Sequence, residues 1–352
     1  MLTMSGFILF LIIGSCVTLF FVMNGSDFGA GMATVFVKDD RRRSEILRVP
    51  SPVWFGNETW LVVGMGIMFA TFPRWYAGLT SGYFLVFIAT LVCLILRGAA
   101  FEFRLKWKHV APNAFWNAAL IVGSLGPPLL LGMVFASTLE GVPIVMEVVR
   151  PDVFNPYAVV SPGFFDIVTP FSVWTGVVLV LFSLALGLAR VMKYDSADLG
   201  LERTLRKKLR LTLWLLLGAV AVEATLFNIS IRPFLGAPHA IVIIGLVLLG
   251  VAASSLYLLS KGKYYLVYWV MVVMIASIFI LIFWELFPNA INGSGYLSLA
   301  SLTLADAASG AVSQRTVLIG VAILMPLMIT GQVAAYRFQS KRFAVADTDI
   351  NT

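Results

Sequence analysis

The stretch Ser5-Gly-Phe-Ile-Leu-Phe-Leu-Ile-Ile-Gly-Ser-Cys-Val-Thr-Leu-Phe-Phe-Val-Met23 is apolar almost throughout, and it runs on into Asn24-Gly-Ser-Asp27 with no small-residue cleavage pattern. A run of about 20 such residues is long enough to cross a hydrocarbon core of roughly 30 Å. It reads as an uncleaved first membrane helix without a signal peptide. Windows of about 19 apolar residues recur along the chain and give nine expected spans: 5–23, 53–72, 78–96, 114–138, 167–190, 210–231, 239–260, 264–286 and 316–338. The second is the most polar at its start, where Asn57 and Glu58 fall.

Composition supports the same class. The chain has 352 residues, 60% hydrophobic and 12% charged, with a mean hydropathy of +0.93, whereas a soluble domain carries about 25% charge. A soluble single core and intrinsic disorder are both excluded. The expectation is an all-α polytopic membrane protein forming one transmembrane domain over residues 1–352.

The formal charge of +7 would suit nucleic acid in a soluble protein. Here 21 of the 25 Lys and Arg fall after spans one, three, five and seven or in the C-terminal tail. Cytoplasmic loops are enriched in these residues, so the expected arrangement has the N-terminus outside and the C-terminus in the cytoplasm. Nucleic acid needs no place in it. The segments 139–166 and 287–315 become outer connections, each too short for a soluble domain.

Two cysteines, Cys16 and Cys93, lie inside apolar runs without CxxC spacing, which indicates neither a zinc site nor a disulfide framework. Two histidines, His109 and His239, cannot ligate the several haems and copper of a haem–copper core. Oxygen or electron chemistry would need a partner to hold the metals.

Ionisable groups at membrane depth are costly unless paired or facing a cavity. The candidates are Asp27, Glu58, Arg97, Glu102, Glu223, Glu285 and Asp306. Glu102 lies four residues before Lys106 and can pair with it on one helix face. Gly25 and Gly29 have the GxxxG spacing of close helix packing, with Asp27 between them. In Ser51-Pro-Val-Trp-Phe-Gly-Asn-Glu-Thr-Trp60, Pro52 suits a helix start, and Trp54 and Trp60 suit an interfacial belt. Asn57 and Glu58, set against Asp27, are expected to form a proton chain one turn inside the cytoplasmic face.

Four segments closely resemble subunit II of the cytochrome bd-type quinol oxidases: Gly25-Ser-Asp-Phe-Gly-Ala-Gly31, Pro52-Val-Trp-Phe-Gly-Asn-Glu-Thr-Trp-Leu61, Phe69-Ala-Thr-Phe-Pro-Arg-Trp-Tyr-Ala-Gly-Leu-Thr-Ser-Gly82 and Leu96-Arg-Gly-Ala-Ala-Phe-Glu-Phe-Arg104. Weaker echoes follow in Gly123-Ser-Leu-Gly-Pro-Pro128, Gly141-Val-Pro143, Phe287-Pro288 and around Asp306. The resemblance implies nine helices in two four-helix bundles plus one peripheral helix. It also implies a haem-bearing subunit I that holds haems b and d, oxidises quinol and reduces dioxygen to water with protons from the cytoplasm. A small single-helix subunit, membrane lipids and a structural quinone are further expected partners, in a bacterial or archaeal cytoplasmic membrane. No cofactor or metal is expected in this chain.

In many members of that family an Asp follows the Trp of the Pro-x-Trp motif and is assigned to a proton route. This chain has Phe55 there, which cannot relay a proton, so Asp27, Asn57 and Glu58 are expected to take over. Trp60, with Trp54, is a candidate for an apolar oxygen path or an interface, and Arg97 for contact with a quinone or lipid headgroup. Two alternatives stand beside the oxidase: a cation- or proton-coupled secondary transporter using Glu223 and Glu285, and a structural assembly factor.

Overall fold

The computed structural model of the chain describes residues 2–106, 113–141, 144–147, 157–160, 165–194, 199–230, 238–293 and 301–350. Helix α1 spans Met4–Ala33, its first turn capped by the Thr3 hydroxyl, which accepts from the Gly6 N–H at 2.9 Å. It therefore runs ten residues past the expected end at Met23, because Asn24, Ser26 and Asp27 find partners inside the protein and do not turn out to water. A 3-10 turn at Thr34–Phe36 leads to α2, Asp40–Arg48, which is capped by Asp39 and buries Ile46 and Leu47.

Helix α3 spans Trp54–Thr71 and α4 spans Pro73–Gly82, with Pro73 in its first turn where no N–H is needed. Helix α5 spans Phe84–Lys106. The expected span 78–96 is thus corrected. A break at Tyr83 separates a short helix from a long one, which carries Arg97 and Arg104 within its helical run. Helix α6 is Asn113–Glu140, with Pro127 and Pro128 inside it. The connection after it contains an antiparallel pair, β1 Ile144–Glu147 and β2 Tyr157–Val160, with Ile144 opposite Val160.

Helix α7 is Pro170–Tyr194 and α8 is Leu199–Ser230. The latter starts well before the expected residue 210, since Arg203, Arg206, Lys207 and Lys208 continue the helix beyond its apolar part. Helices α9, Pro238–Ser260, and α10, Tyr264–Leu286, follow. A small pair, β3 Asn289–Ile291 with β4 Leu302–Thr303, and the single turn α11, Leu304–Ala307, precede the long α12, Ala311–Ile350.

A helix lies over each of the nine expected stretches. Among the described residues seven are long and apolar enough to cross a membrane. Asn57 and Glu58 make α3 too polar for that count, and the described apolar part of α9, Leu249–Ser260, is too short for it. Helix α1 is the hub, touching α3, α6, α7, α10 and α12. Its Phe21 stacks on Phe279 of α10 at 4.4 Å between ring centroids. Outward apolar residues such as Leu91 and Ile95 of α5 and Ile319, Ile323 and Leu327 of α12 face away from this core, as lipid contact requires.

The tightest crossing joins α1 and α7. A Cβ on Gly29 would lie 1.8 Å from the Ser183 carbonyl oxygen, and one on Gly187 would lie 2.1 Å from the Gly29 carbonyl carbon. The Gly25/Gly29 spacing is therefore a packing device at Gly29.

Arg104 donates to Asp40 Oδ1 (3.2 Å), Ser44 Oγ (3.1 Å) and Asn117 Oδ1 (2.7 Å), tying α2 to α5 and α6. The hydrogen bond from Asn113, then the charges of Arg104 and Arg43, hold the Asp40 carboxyl below its ordinary value of 3.8. A lowered carboxylate pKa stabilises the fold above the ordinary value, and that contribution is lost as pH falls through the lowered one. Below about pH 4, α2 should loosen, seen as faster amide exchange over residues 40–48, and Asn113→Ala should shift that onset to higher pH. Gly29→Ala should destabilise the protein by about 3 kcal/mol, measured as a lowered thermal unfolding midpoint and loss of assembled protein.

Candidate functional site

The Gly29–Gly187 crossing sets Asp27 of α1 beside Arg190 of α7, two and three residues away along their helices. Arg190 Nη1 donates to Asp27 Oδ1 at 2.6 Å and to Ser26 Oγ at 2.7 Å, with side-chain exposures of 2% and 0% for the ion pair. The other carboxylate oxygen, Asp27 Oδ2, accepts from Asn57 Nδ2 at 2.7 Å. Asn57 Oδ1 in turn accepts from Gln332 Nε2 (2.6 Å) and Tyr336 Oη (3.2 Å) of α12. Gln339, one turn further on, accepts from Arg190 Nη2 at 3.4 Å and donates to the Val49 carbonyl.

A second pair adjoins the first. Arg97 of α5 is completely buried, and its Nη2 donates to Asn24 Oδ1 at 2.8 Å and to Glu58 Oε1. Its Cζ lies 4.2 Å from the centre of the Phe28 ring. Asn24 and Asp27 are three residues apart on α1, and Asn57 and Glu58 are neighbours on α3, so both pairs belong to one cluster. Its formal charges cancel: Asp27 and Glu58 against Arg97 and Arg190. Balance matters because an unpaired buried ion costs several kcal/mol. Glu58 is the open end, with 22% of its side chain exposed.

The structure therefore brings Asp27 and Asn57 into direct contact and ties Glu58 to the cluster through Arg97. Phe55 points outward at 73% exposure. The headgroup position expected for Arg97 is corrected: it lies inside the chain because Glu58 and Asn24 pull it there. Trp60 is 2% exposed and lies in the core, not in an interfacial belt, while Trp54 stacks on Phe101 at 5.8 Å. Asp306 is not at depth. It is an exposed residue in the first turn of α11, where its N–H is capped by Thr303 and its carbonyl accepts from Arg74 at 3.2 Å. Glu102 is half-buried, and the Lys106 side chain, like those of His109 and His239, lies outside the described residues.

Glu223 and Glu285 line one largely apolar cavity of about 170 Å3 between α6, α7, α8 and α10, and Thr175 donates to Glu223 Oε1 at 2.6 Å. Among the described residues no three metal-ligating side chains converge.

Sequence reasoning missed Arg190, Asn24, Gln332, Tyr336 and Gln339. Arg190 was counted among the cytoplasmic cations. The apolar Val191-Met192 that follows it, and the need of a membrane-depth Asp27 for a cation, were the available signals.

The fold and this internal ion-pair cluster define a multi-pass, all-helical membrane protein. The family profile for cytochrome bd terminal oxidase subunit II matches residues 5–339, and the chain belongs to that family. It is 31% identical over 324 residues, 92% of each chain, to the cytochrome bd ubiquinol oxidase subunit 2 of Bacillus subtilis (strain 168). To the cytochrome bd-I ubiquinol oxidase subunit 2 of Escherichia coli (strain K12) it is 33% identical over 175 residues, 49% of this chain and 45% of that one. A chain in the structure of bd oxidase from Geobacillus thermodenitrificans has the same fold, with a TM-score of 0.70 and 16% identity over 96% of this chain and 98% of that chain. Family membership replaces the transporter and assembly-factor alternatives: the chain is a subunit of a bd oxidase complex, which implies a subunit I as partner.

Arg190→Leu strands the Asp27 charge and should cost about 3–5 kcal/mol, read as a lowered thermal unfolding midpoint. Adding Asp27→Leu should recover most of that loss, and a double variant no better than the single one would show that the pair is not the cause.

Proposed function

We propose that this chain is the haem-free subunit II of a quinol:dioxygen oxidoreductase, holding subunit I in place and supplying a cytoplasmic route for protons. Nine membrane spans, an outer N-terminus and a cytoplasmic C-terminus fit the distribution of Lys and Arg. Helices α1, α3, α5 and α6 then form one four-helix bundle and α7 to α10 the other, with α12 as the peripheral helix. Haems b and d and the quinol site belong to subunit I, in a bacterial or archaeal cytoplasmic membrane, and a small single-helix subunit, lipids or a structural quinone complete the complex.

The observation that carries the proton reading is the neutral cluster of Asp27, Arg190, Asn57, Arg97 and Glu58 with one half-open end. Glu58 is the group able to exchange with water, and Asp27 is the inner acceptor. Arg97 and Arg190 keep their protons. Their part is to hold the two carboxylates in place and to offset their charge while both are ionised. Exposed Phe55 leaves the outermost position without a relay, which makes Glu58 the uptake group. The arrangement of apolar side chains around Trp60 also suits an oxygen path.

Glu58→Gln and Asp27→Asn should each slow oxygen consumption and charge separation in proteoliposomes about tenfold or more. Wild-type rates in both would overturn the route. The haem assignment is checked by reduced-minus-oxidised spectra, in which absorbance should follow the co-purifying second subunit and vanish from this chain alone.

A further inference from the structure

Arg97 and Asn24 are both fully buried, yet three of their donor atoms have no hydrogen-bond partner among the described residues: Arg97 Nε, Arg97 Nη1 and Asn24 Nδ2. Buried donors are almost always met by protein or by ordered water. The three orphans sit on two planar groups already in contact, since Arg97 Nη2 donates to Asn24 Oδ1 at 2.8 Å. What they need is an acceptor.

Charge and space narrow its chemistry. Two guanidinium groups already balance two carboxylates, so an anion would leave the cluster with a net negative charge in a membrane interior. The surroundings are tight. Phe28 covers one face of the guanidinium at 4.2 Å, and α6 presses on the base of the same side chain, since a Cβ on Gly123 would lie 2.8 Å from Arg97 Cβ. A neutral, water-sized acceptor with several polar neighbours is the ligand that fits.

We infer that Arg97 and Asn24 hold ordered water, which accepts from Arg97 Nε or Nη1 and from Asn24 Nδ2 and donates toward the carboxylates of Glu58 and Asp27. The existence of the site rests on the orphan donors alone; its use rests on the proton route proposed above. Glu58 is bonded to the Arg97 guanidinium and Asp27 to the Asn57 carboxamide, neither of which releases a proton at physiological pH. Water can close that gap. The Glu58 carboxylic acid gives its proton to the water oxygen as the water gives one of its own to the Asp27 carboxylate, so that Glu58 ends ionised, Asp27 protonated and the water unchanged.

The test is a pair of electron cryo-microscopy maps of the wild-type complex in lipid nanodiscs, at a resolution that shows ordered water, one with chloride and one with gluconate as the only anion. The expected result is a peak in both maps within about 2.7–3.2 Å of an Arg97 nitrogen and of Asn24 Nδ2, and loss of that peak in Asn24→Leu. No peak, or a peak only with chloride, overturns the inference. Should Asn24→Leu fail to assemble, the wild-type maps decide alone. Charge movement in Glu58→Gln separates the two readings: a peak with unchanged movement keeps the hydration site and removes the route, whereas slowed movement without a peak keeps the route and removes the water.

Discussion

The rest of the structure depends on how closely α1 and α7 approach at Gly29 and Gly187, where the two backbones meet with no side chain between them. Lipid chains are as apolar as leucine, so helices in a bilayer gain little from hiding apolar surface, and close backbone contact with buried polar pairing takes over that role. The crossing does both. It supplies dense van der Waals contact and sets Arg190 where its guanidinium meets Asp27 and Ser26. Larger residues at either glycine would separate the helices and leave both charges without a partner.

Helix α12 shows the same physics at the periphery. Little of its surface is covered by the rest of the chain, and most of its large apolar residues face outward. Gln332, Tyr336 and Gln339 recur at helical spacing on one side and reach Asn57, Arg190 and the Val49 carbonyl. Three polar side chains thus fasten the outer helix to the ion-pair cluster, and the cluster is shielded from lipid by the helix it fastens.

Hydropathy located the helices because each crossing needs its own apolar run. It misplaced the ends of α1 and α8, because Asn24 to Asp27 and Arg203 to Lys208 are polar residues in helical backbone. Glu58, Asp27 and Asn57 stood out as polar groups at depth, and two of them touch. Arg97 stood out as a cation at depth but without its partners, and Arg190 did not stand out, since a charge tally by loop treats a cation at a helix end as exposed whether it faces headgroups or a buried carboxylate. The core position of Trp60 was left open for a related reason: an indole near a helix start looks the same in sequence whether it faces the interface or the core. The joint cavity of Glu223 and Glu285 depends on how α8 and α10 sit against each other, which no local pattern encodes.

The ion pair of Asp27 and Arg190 joins residues 163 positions apart. At a synthesis rate of about 5–20 residues per second, α1 leaves the ribosome roughly ten to thirty seconds before α7 exists. During that interval Asp27 has no guanidinium to meet, and its place near the end of α1, next to the polar α2, lets it wait close to the membrane surface. The first helix can settle fully only when the seventh arrives, which makes late synthesis of α7 a checkpoint on assembly of the whole chain.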